Sequence, residues 1–406
     1  MENTENKLSL QRLPRNIWAV TFASFFTDIS SEMIFNLVPL YLANVLGVGT
    51  AIIGLIDGIA ETTASLMKVY TGSLSDKLGQ RKWLAVAGYA LSTISKPFLF
   101  IAGSWEAVLG VRFSDRLGKG IRTAPRDALV ADSIDEKQRG LAFGVHRAGD
   151  TAGAFLGLGF AALIVWLTEA NGIDLTRHTF QIAVLISIFP AILGVLVLMG
   201  VANEVPMKTK RTSALPSLEG LDTRFKLFLF VVVLFTLGNS SDSFIILLGQ
   251  NRGLDIVQIM LMLMTLNFIY AALSGPLGAW SDKIGRRKLI IGGWIAYGLV
   301  YLGLALSKAG WHVWVLYALY GIYYAATDGV GRALVADFVP EERRGTAYGL
   351  YNAAIGIAVL PASVIAGLLW QGIGAWTGFG ASAPFYFGAA LALLAGVLFW
   401  RLVPSK

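Results

Sequence analysis

Twelve apolar stretches recur along the chain, at about 16–43, 50–75, 83–101, 106–130, 140–167, 180–201, 225–248, 257–281, 289–307, 312–336, 345–370 and 383–403. A helix needs roughly 20 apolar residues to cross the hydrocarbon core of a bilayer. These stretches meet that length, and they are too long and too poor in alternation for barrel strands. Of all residues 55% are hydrophobic and only 15% charged, whereas a soluble domain carries roughly a quarter charged residues. The pattern predicts an all-α integral membrane protein with twelve transmembrane helices, its lipid-facing surface solvated by the bilayer. The opening "MENTENKLSLQRLPRN" is polar. The apolar segment after it is too long for a cleaved signal and is followed by no small-residue cleavage site, so it is read as a retained first helix.

The net charge of +7 invites a nucleic-acid reading, which its distribution rejects. Most loop lysines and arginines fall on the side of the N-terminus, in the N-tail, the even-to-odd loops and the C-tail. The opposite loops hold only Arg177, Arg252 and Lys308. That asymmetry follows the positive-inside rule. It predicts a multi-pass protein of the cytoplasmic (inner) membrane with both termini in the cytoplasm. The chain has no cysteine, so disulfides and thiolate metal sites are excluded. Its histidines, His146, His178 and His312, are far apart and form no H-E-x-x-H, so no metal centre is expected. No G-x-x-x-x-G-K-S/T loop is present, so the chain itself is not an ATP-driven pump. No cofactor is expected.

One phrase is written twice. "GSLSDKLGQRK" (Gly72–Lys82) returns 206 positions later as "GAWSDKIGRRK" (Gly278–Lys288). "ALVADSIDEKQRG" (Ala128–Gly140) returns at an offset of 205 as "ALVADFVPEERRG" (Ala333–Gly345). Two matched phrases in register imply a duplicated six-helix unit. The polar, proline-containing stretch 202–224 reads as the linker. The expected organisation is an N-terminal bundle 1–201, a cytoplasmic linker 202–224 and a C-terminal bundle 225–406.

The duplicated phrase resembles the loop signature of the major facilitator superfamily, G-x-L-x-D-x-x-G-R-R/K. Gly72, Leu74, Asp76, Gly79 and Arg81 match in the first copy, with Gln80 in place of a basic residue. Gly278, Asp282, Gly285, Arg286 and Arg287 match in the second, with Trp280 in place of the leucine. The resemblance covers the whole chain. It implies two pseudo-symmetric bundles and a secondary transporter, here bacterial-exporter-like and monomeric, with these loop residues latching the bundles at the cytoplasmic face. The residues alone allow a simpler chemistry: glycines for tight turns, and an Asp76 that accepts from the start of helix 3 or from a nearby arginine.

Ionisable groups inside a membrane cost several kcal/mol unless paired or facing water. Helix 1 carries Asp28, Glu32 and Asn36 at four-residue steps, on one face. Helix 2 carries Asp57, Glu61 and Lys68. Helix 5 carries His146, Arg147 and Asp150. Helix 4, "VRFSDRLGKGIRTAPRDALVAD", is the densest, with Arg112, Asp115, Arg116, Lys119, Arg122 and Arg126. Such stripes either line a wet cavity or pair across helices. Arg112, Arg116 and Lys119 are read as cavity residues. Arg122, Arg126 and Asp127, beside Pro125, are read as a structural ion-pair lattice. The run from Arg116 to Ala124 resembles the family's helix-4 motif R-x-x-Q-G, with Lys119 where glutamine is usual; in relatives its arginine is implicated in proton transfer, which would fall on Arg116. Gly149, Gly153 and Gly157 space small residues for close helix packing and stand where drug-efflux relatives carry a glycine-rich motif, here without its proline and with Asp150 intruding.

The second half is more aromatic. Helix 7 carries Asn239, Ser240 and Asp242, and Asp242 corresponds to Asn36 under the 206 offset. On helix 10, Tyr317, Tyr320, Tyr324 and Asp328 share a face. The expected function is secondary active transport of a small-molecule substrate, coupled to protons and directed outward. Asp28, Glu32, Glu61 and Asp150 are the proton-coupling carboxylates and Arg116 the switching cation. Asn36, Asp57, Arg112, Lys119, His146, Arg147, Asn239, Asp242, Tyr320, Tyr324 and Asp328 are the cavity set. Uptake or exchange of an organic anion on the cationic helix 4 is the competing reading, and a non-transporting receptor or scaffold the competing class.

Overall fold

A computed structural model describes residues 13–135, 138–169, 173–205, 221–340 and 343–403. The described residues are helical apart from short connections. The first rod is α1 (Arg15–Phe35), α2 (Val38–Leu40) and a π-helical turn (Tyr41–Val45). It is followed by α3 (Thr50–Leu78), then α4 (Lys82–Ser95) with α5 (Phe98–Ile101), α6 (Trp105–Asp132), α7 (Arg139–Thr168) and α8 (Arg177–Val201). The second half opens with α9 (Thr223–Gly238) and α10 (Ser243–Asn251). It continues with α11 (Ile256–Ile284), α12 (Arg286–Leu306), α13 (Gly310–Phe338), α14 (Arg344–Gln371) and α15 (Ala383–Leu402). Among the described residues nine spans are long and apolar enough to cross a membrane. The remaining rods, α1, α6 and α13, carry many of the charges of the candidate site, with others on α3, on α7 and at Asp242. Most of the stretch expected as a linker, 206–220, lies outside the described residues.

Three rods expected to be continuous are broken. The first breaks at Asn36, whose Nδ2 donates back to the Glu32 carbonyl (3.0 Å) and to Glu32 Oε2 (2.8 Å); Pro39 then sits in the first turn of α2. The third breaks at Lys96-Pro97, where proline disfavours helix in the residue before it. The seventh breaks over Asn239-Ser240-Ser241-Asp242. Short polar side chains of this kind compete with the helix for backbone hydrogen bonds. The breaks in the first and seventh rods fall on repeat-equivalent positions, so each half presents irregular backbone at matching depth. Such backbone is tolerated in a membrane where it lines a cavity or is covered by protein.

In the first half α1 packs on α7 and α8, and α6 packs on α3 and α4. In the second, α12 lies on α13 and α15, α11 on α13, and α9 on α14 and α15. The halves meet along α3–α14 and α7–α11. The glycine series on α7 sets its approach to α1: a Cβ at Gly153 would stand 2.4 Å from the Phe25 carbonyl oxygen. At the α3–α14 seam a Cβ at Gly54 would stand 2.1 Å from the Ser363 carbonyl oxygen.

Candidate functional site

A chamber of about 350 Å³ lies between the halves. From the first half it is lined by Asp28, Glu32 and Asn36 of the first rod, Glu61 of α3, and Arg112, Arg116 and Lys119 of α6. From the second half come Asn239, Asp242, Tyr320 and Tyr324. The break in each first rod therefore delivers its polar residue, Asn36 or Asp242, to the same space. A second cavity of about 750 Å³ carries His146, Arg147, Asp150 and Asp328, together with Lys68 and Tyr270. The two share Asp28, Glu32, Lys119, Arg122 and Tyr324. The second cavity extends as a vestibule toward the face on which Asn16 donates to the Ser133 hydroxyl and the Asn203 carbonyl, the face of the described chain ends.

Ion pairs hold much of α6. Arg112 Nη2 meets Asp57 Oδ1 at 3.0 Å, and Ser241 of the other half donates to Asp57 Oδ2 at 2.8 Å. Asp57 is thus buried behind the chamber and does not line it, a correction to its cavity assignment. Arg116 Nη2 meets Glu61 Oε1 at 3.1 Å. Phe35 lies under both cations, with the Arg112 guanidinium 4.7 Å and that of Arg116 5.6 Å from the ring centre, within cation–π range. Arg126 pairs with Asp127 at 2.9 Å, as the lattice reading holds. Arg122 departs from that reading: it lines the chamber, donates to Ser92 (2.8 Å) and stacks over Tyr89 (4.6 Å). Asp28 and Lys119 form no hydrogen bond or ion pair through their side chains among the described residues.

In the vestibule, His146 Nε2 stands 3.6 Å from Asp150 Oδ2. Arg147 of α7 donates to the Tyr270 hydroxyl of α11, which in turn donates to Asp328 Oδ2 at 3.0 Å. Tyr317 and Tyr320 are both fully buried and stack at 5.6 Å; Tyr320 borders the chamber from within this packing, and Tyr324, 39% exposed, opens onto it.

At the far face the chamber is closed. Asn44 and Gln250, 206 residues apart, exchange amide hydrogen bonds: Asn44 Nδ2 to Gln250 Oε1 (3.2 Å) and Gln250 Nε2 to Asn44 Oδ1 (2.9 Å). Thr50 donates its N–H to Gln371 Oε1 (2.9 Å) and its hydroxyl to the Gly367 carbonyl (3.0 Å).

At the near face the two duplicated phrases touch within each half. Arg81 meets Asp76 at 2.7 Å and Asp132 at 3.2 Å. Arg286 meets Asp337 at 2.7 Å. Asp132 and Asp337 close the repeated "ALVAD", so one duplicated phrase supplies the arginine and the other its acid. Gly79 (φ 67°) and Gly285 (φ 95°) make the left-handed turns that bring the arginines round. Gly72 and Gly278 lie one helical stretch earlier on α3 and α11. Arg287 bonds the Trp400 carbonyl. The side chain of Asp282 lies outside the described residues.

Three contributors escaped the sequence reading. Lys96 is fully buried and donates to Ser30 (2.6 Å) and Ser31 (3.1 Å). Glu204 accepts from the Arg81 and Lys82 amides at 2.6 and 3.1 Å, capping α4, the role for which Asp76 was one candidate. Ser241 completes the Asp57 cluster. A lone lysine in an apolar span was the available signal for the first; nothing local marked the other two.

Two helical bundles around a charged chamber, shut at one face and continuous with a vestibule at the other, define a polytopic carrier fold. The chain belongs to the Major Facilitator Superfamily, whose sequence model matches residues 20–248 and 227–406. It is 34% identical over 403 residues to an uncharacterised MFS-type transporter of Methanocaldococcus jannaschii, covering 98% of this chain and 96% of that one. It is 23% identical over 336 residues to the multi-drug resistance efflux pump PmrA of Streptococcus pneumoniae, covering 80% and 82%. Among solved structures, nucleoside transporter NupG superposes with a TM-score of 0.79 at 14% identity, covering 96% of this chain and all of that one. This is a family of membrane transporters and not of enzymes.

Proposed function

We propose that the chain is a secondary active transporter that exports a small organic solute across the cytoplasmic membrane in exchange for protons. Residues 1–201 and 225–406 rock as units about the segment 202–224, opening the chamber to each face in turn. The observation that carries this reading is Asp28. It lines both chamber and vestibule and has no ion-pair partner among the described residues. A carboxylate in that position can be neutralised by a proton in one state and by a cation of α6 in the other. Glu32 and Glu61 share the chamber and Asp150 the vestibule; Arg116, held by Glu61, is the cation that a shift of α6 would release. The likeness to an efflux pump supports the outward direction.

The test begins with a compound panel in cells that express or lack the protein, to find a solute whose accumulation changes. Purified protein in vesicles should then move that solute when a pH gradient is imposed. Asp28→Asn is expected to lose gradient-driven accumulation by tenfold or more and to keep solute exchange at equilibrium. Loss of both activities with intact folding, or loss of neither, refutes the proposed role of Asp28. Uptake of an anion, which the unpaired Lys119 favours as a second reading, would show as solute entering with the gradient. No flux of any solute would favour a receptor or scaffold.

A further inference from the structure

The first half lines the chamber with bases and with the acids Asp28, Glu32, Glu61 and Asp115. Every basic residue lining it, Arg112, Arg116, Lys119 and Arg122, comes from α6 of the first half. The second half contributes no base; its one ionisable acid is Asp242, with Tyr320 and Tyr324 beside it. Three of the four cations are engaged: Arg112 by Asp57, Arg116 by Glu61, and Arg122 by Ser92 and the Tyr89 ring. Among the described residues Lys119 has no such partner, and it is exposed to the chamber. Asp242 is exposed to it as well. The two make no ion pair with each other, although both stand in a protein interior where an unmatched charge is costly. Of the lining residues only Phe35, Ile246 and Val359 are purely hydrocarbon, so the space does not suit a greasy solute.

We infer that the transported solute is a small, hydrophilic zwitterion. Its oxyanion pole is held by Lys119 in the first half, and its ammonium pole by Asp242, with the ring of Tyr324 beside it, in the second. The Tyr324 ring is 39% exposed and offers cation–π contact to an ammonium. A solute with both poles compensates both charges and ties the halves together. A solute with one pole leaves the other charge bare. This inference rests on the transporter reading and narrows its substrate. Asp28 remains assigned to the proton and Asp242 to the solute.

The experiment measures binding, independently of flux. Purified full-length protein is titrated with ω-amino acids from β-alanine to 6-aminohexanoate, and with butylamine and butyrate as single-pole controls. Thermal shift and calorimetry give the affinities. The expected result is a length optimum in the zwitterion series, with single-pole controls at least tenfold weaker. Lys119→Gln should lower affinity for the best zwitterion tenfold, and Lys119→Arg should restore it. Asp242→Asn should erase the advantage of the zwitterion over butyrate. Equal binding of butylamine or butyrate overturns the inference, as does failure of every zwitterion to bind. If a variant does not elute as folded protein, the wild-type comparison decides alone. Zwitterion binding without gradient-driven flux would sink the proton-exchange reading and leave this inference standing. Flux of some other solute without zwitterion binding would do the reverse.

Discussion

Arg112 and Asp57 have side chains only 6% and 4% exposed, at 3.0 Å from each other. Arg116 and Glu61 are separated by a similar 3.1 Å, but the Glu61 side chain is 40% exposed to the chamber. The two pairs look alike in sequence, because Asp57 and Glu61 are four residues apart on one face of α3 and Arg112 and Arg116 four apart on α6. Burial separates them. Breaking a buried pair by removing one partner leaves an uncompensated charge and costs about 3–5 kcal/mol; a solvated pair is worth about 0–1 kcal/mol. Asp57→Asn should therefore lower thermal stability in detergent steeply, and Glu61→Gln less, because Glu61 is 40% exposed while its partner Arg116 is 13% exposed. Adding Arg112→Met to the first should recover part of the loss. Equal destabilisation by the two single substitutions would show that the chamber is not wet at Glu61. The sequence stripe announced charged groups in the membrane. It could not say which would be covered, because that depends on the rotation of α3 against the other half, where Ser241 reaches Asp57.

Helix ends and repeats were legible: the apolar stretches coincide with the observed rods to within a few residues, and both phrases fall at the turns expected of them. The breaks were not foreseen, although Asn36, Pro97 and the Asn-Ser-Ser-Asp run gave local signals that a hydropathy window averages away. Glycine spacing on α7 was read correctly as a packing feature, and its strength can be measured. A Cβ at Gly153 would collide with the Phe25 carbonyl of α1, a backbone atom that cannot swing aside, whereas a Cβ at Gly144 on the same helix meets nothing within 4 Å. Forcing extra volume into a packed contact costs about 1–3 kcal/mol or more. Gly153→Leu should reduce folded yield and shift the melting transition down by several degrees, with Gly144→Leu near wild type. Matching behaviour of the two would mean that α7 and α1 do not pack as closely as described.

Duplication gives the molecule two copies of each switch, and the copies behave differently at the two faces. At the near face Arg81 and Arg286 each bond an acid of their own half, although the counterpart of Arg81 under the repeat is Arg287 and Arg286 stands where the first copy has Gln80. At the far face the equivalent positions Asn44 and Gln250 bond each other across the pseudo-twofold. The described conformation is thus closed at the far face by contacts between halves and relaxed at the near face into contacts within them. Asp76→Asn removes one of the two acids on Arg81 and should reach the membrane normally yet transport several-fold slower; unchanged flux at equal expression would deny it a part in the cycle. The far-face clasp permits a stricter test. Each net hydrogen bond is worth about 0.5–1.5 kcal/mol, so losing the reciprocal pair should favour opening at that face by roughly 5- to 150-fold. The chain has no cysteine, so a thiol placed at Ile246, inside the chamber, reports access without background. Ile246→Cys should react faster with an impermeant thiol reagent from the far face when Gln250→Ala is added. Conversely, joining cysteines at positions 44 and 250 with a short thiol crosslinker should abolish transport while leaving the Ile246→Cys thiol reachable from the near face. Transport that survives this crosslink would mean that the two halves do not part at the far face, and alternating access about this chamber would have to be abandoned.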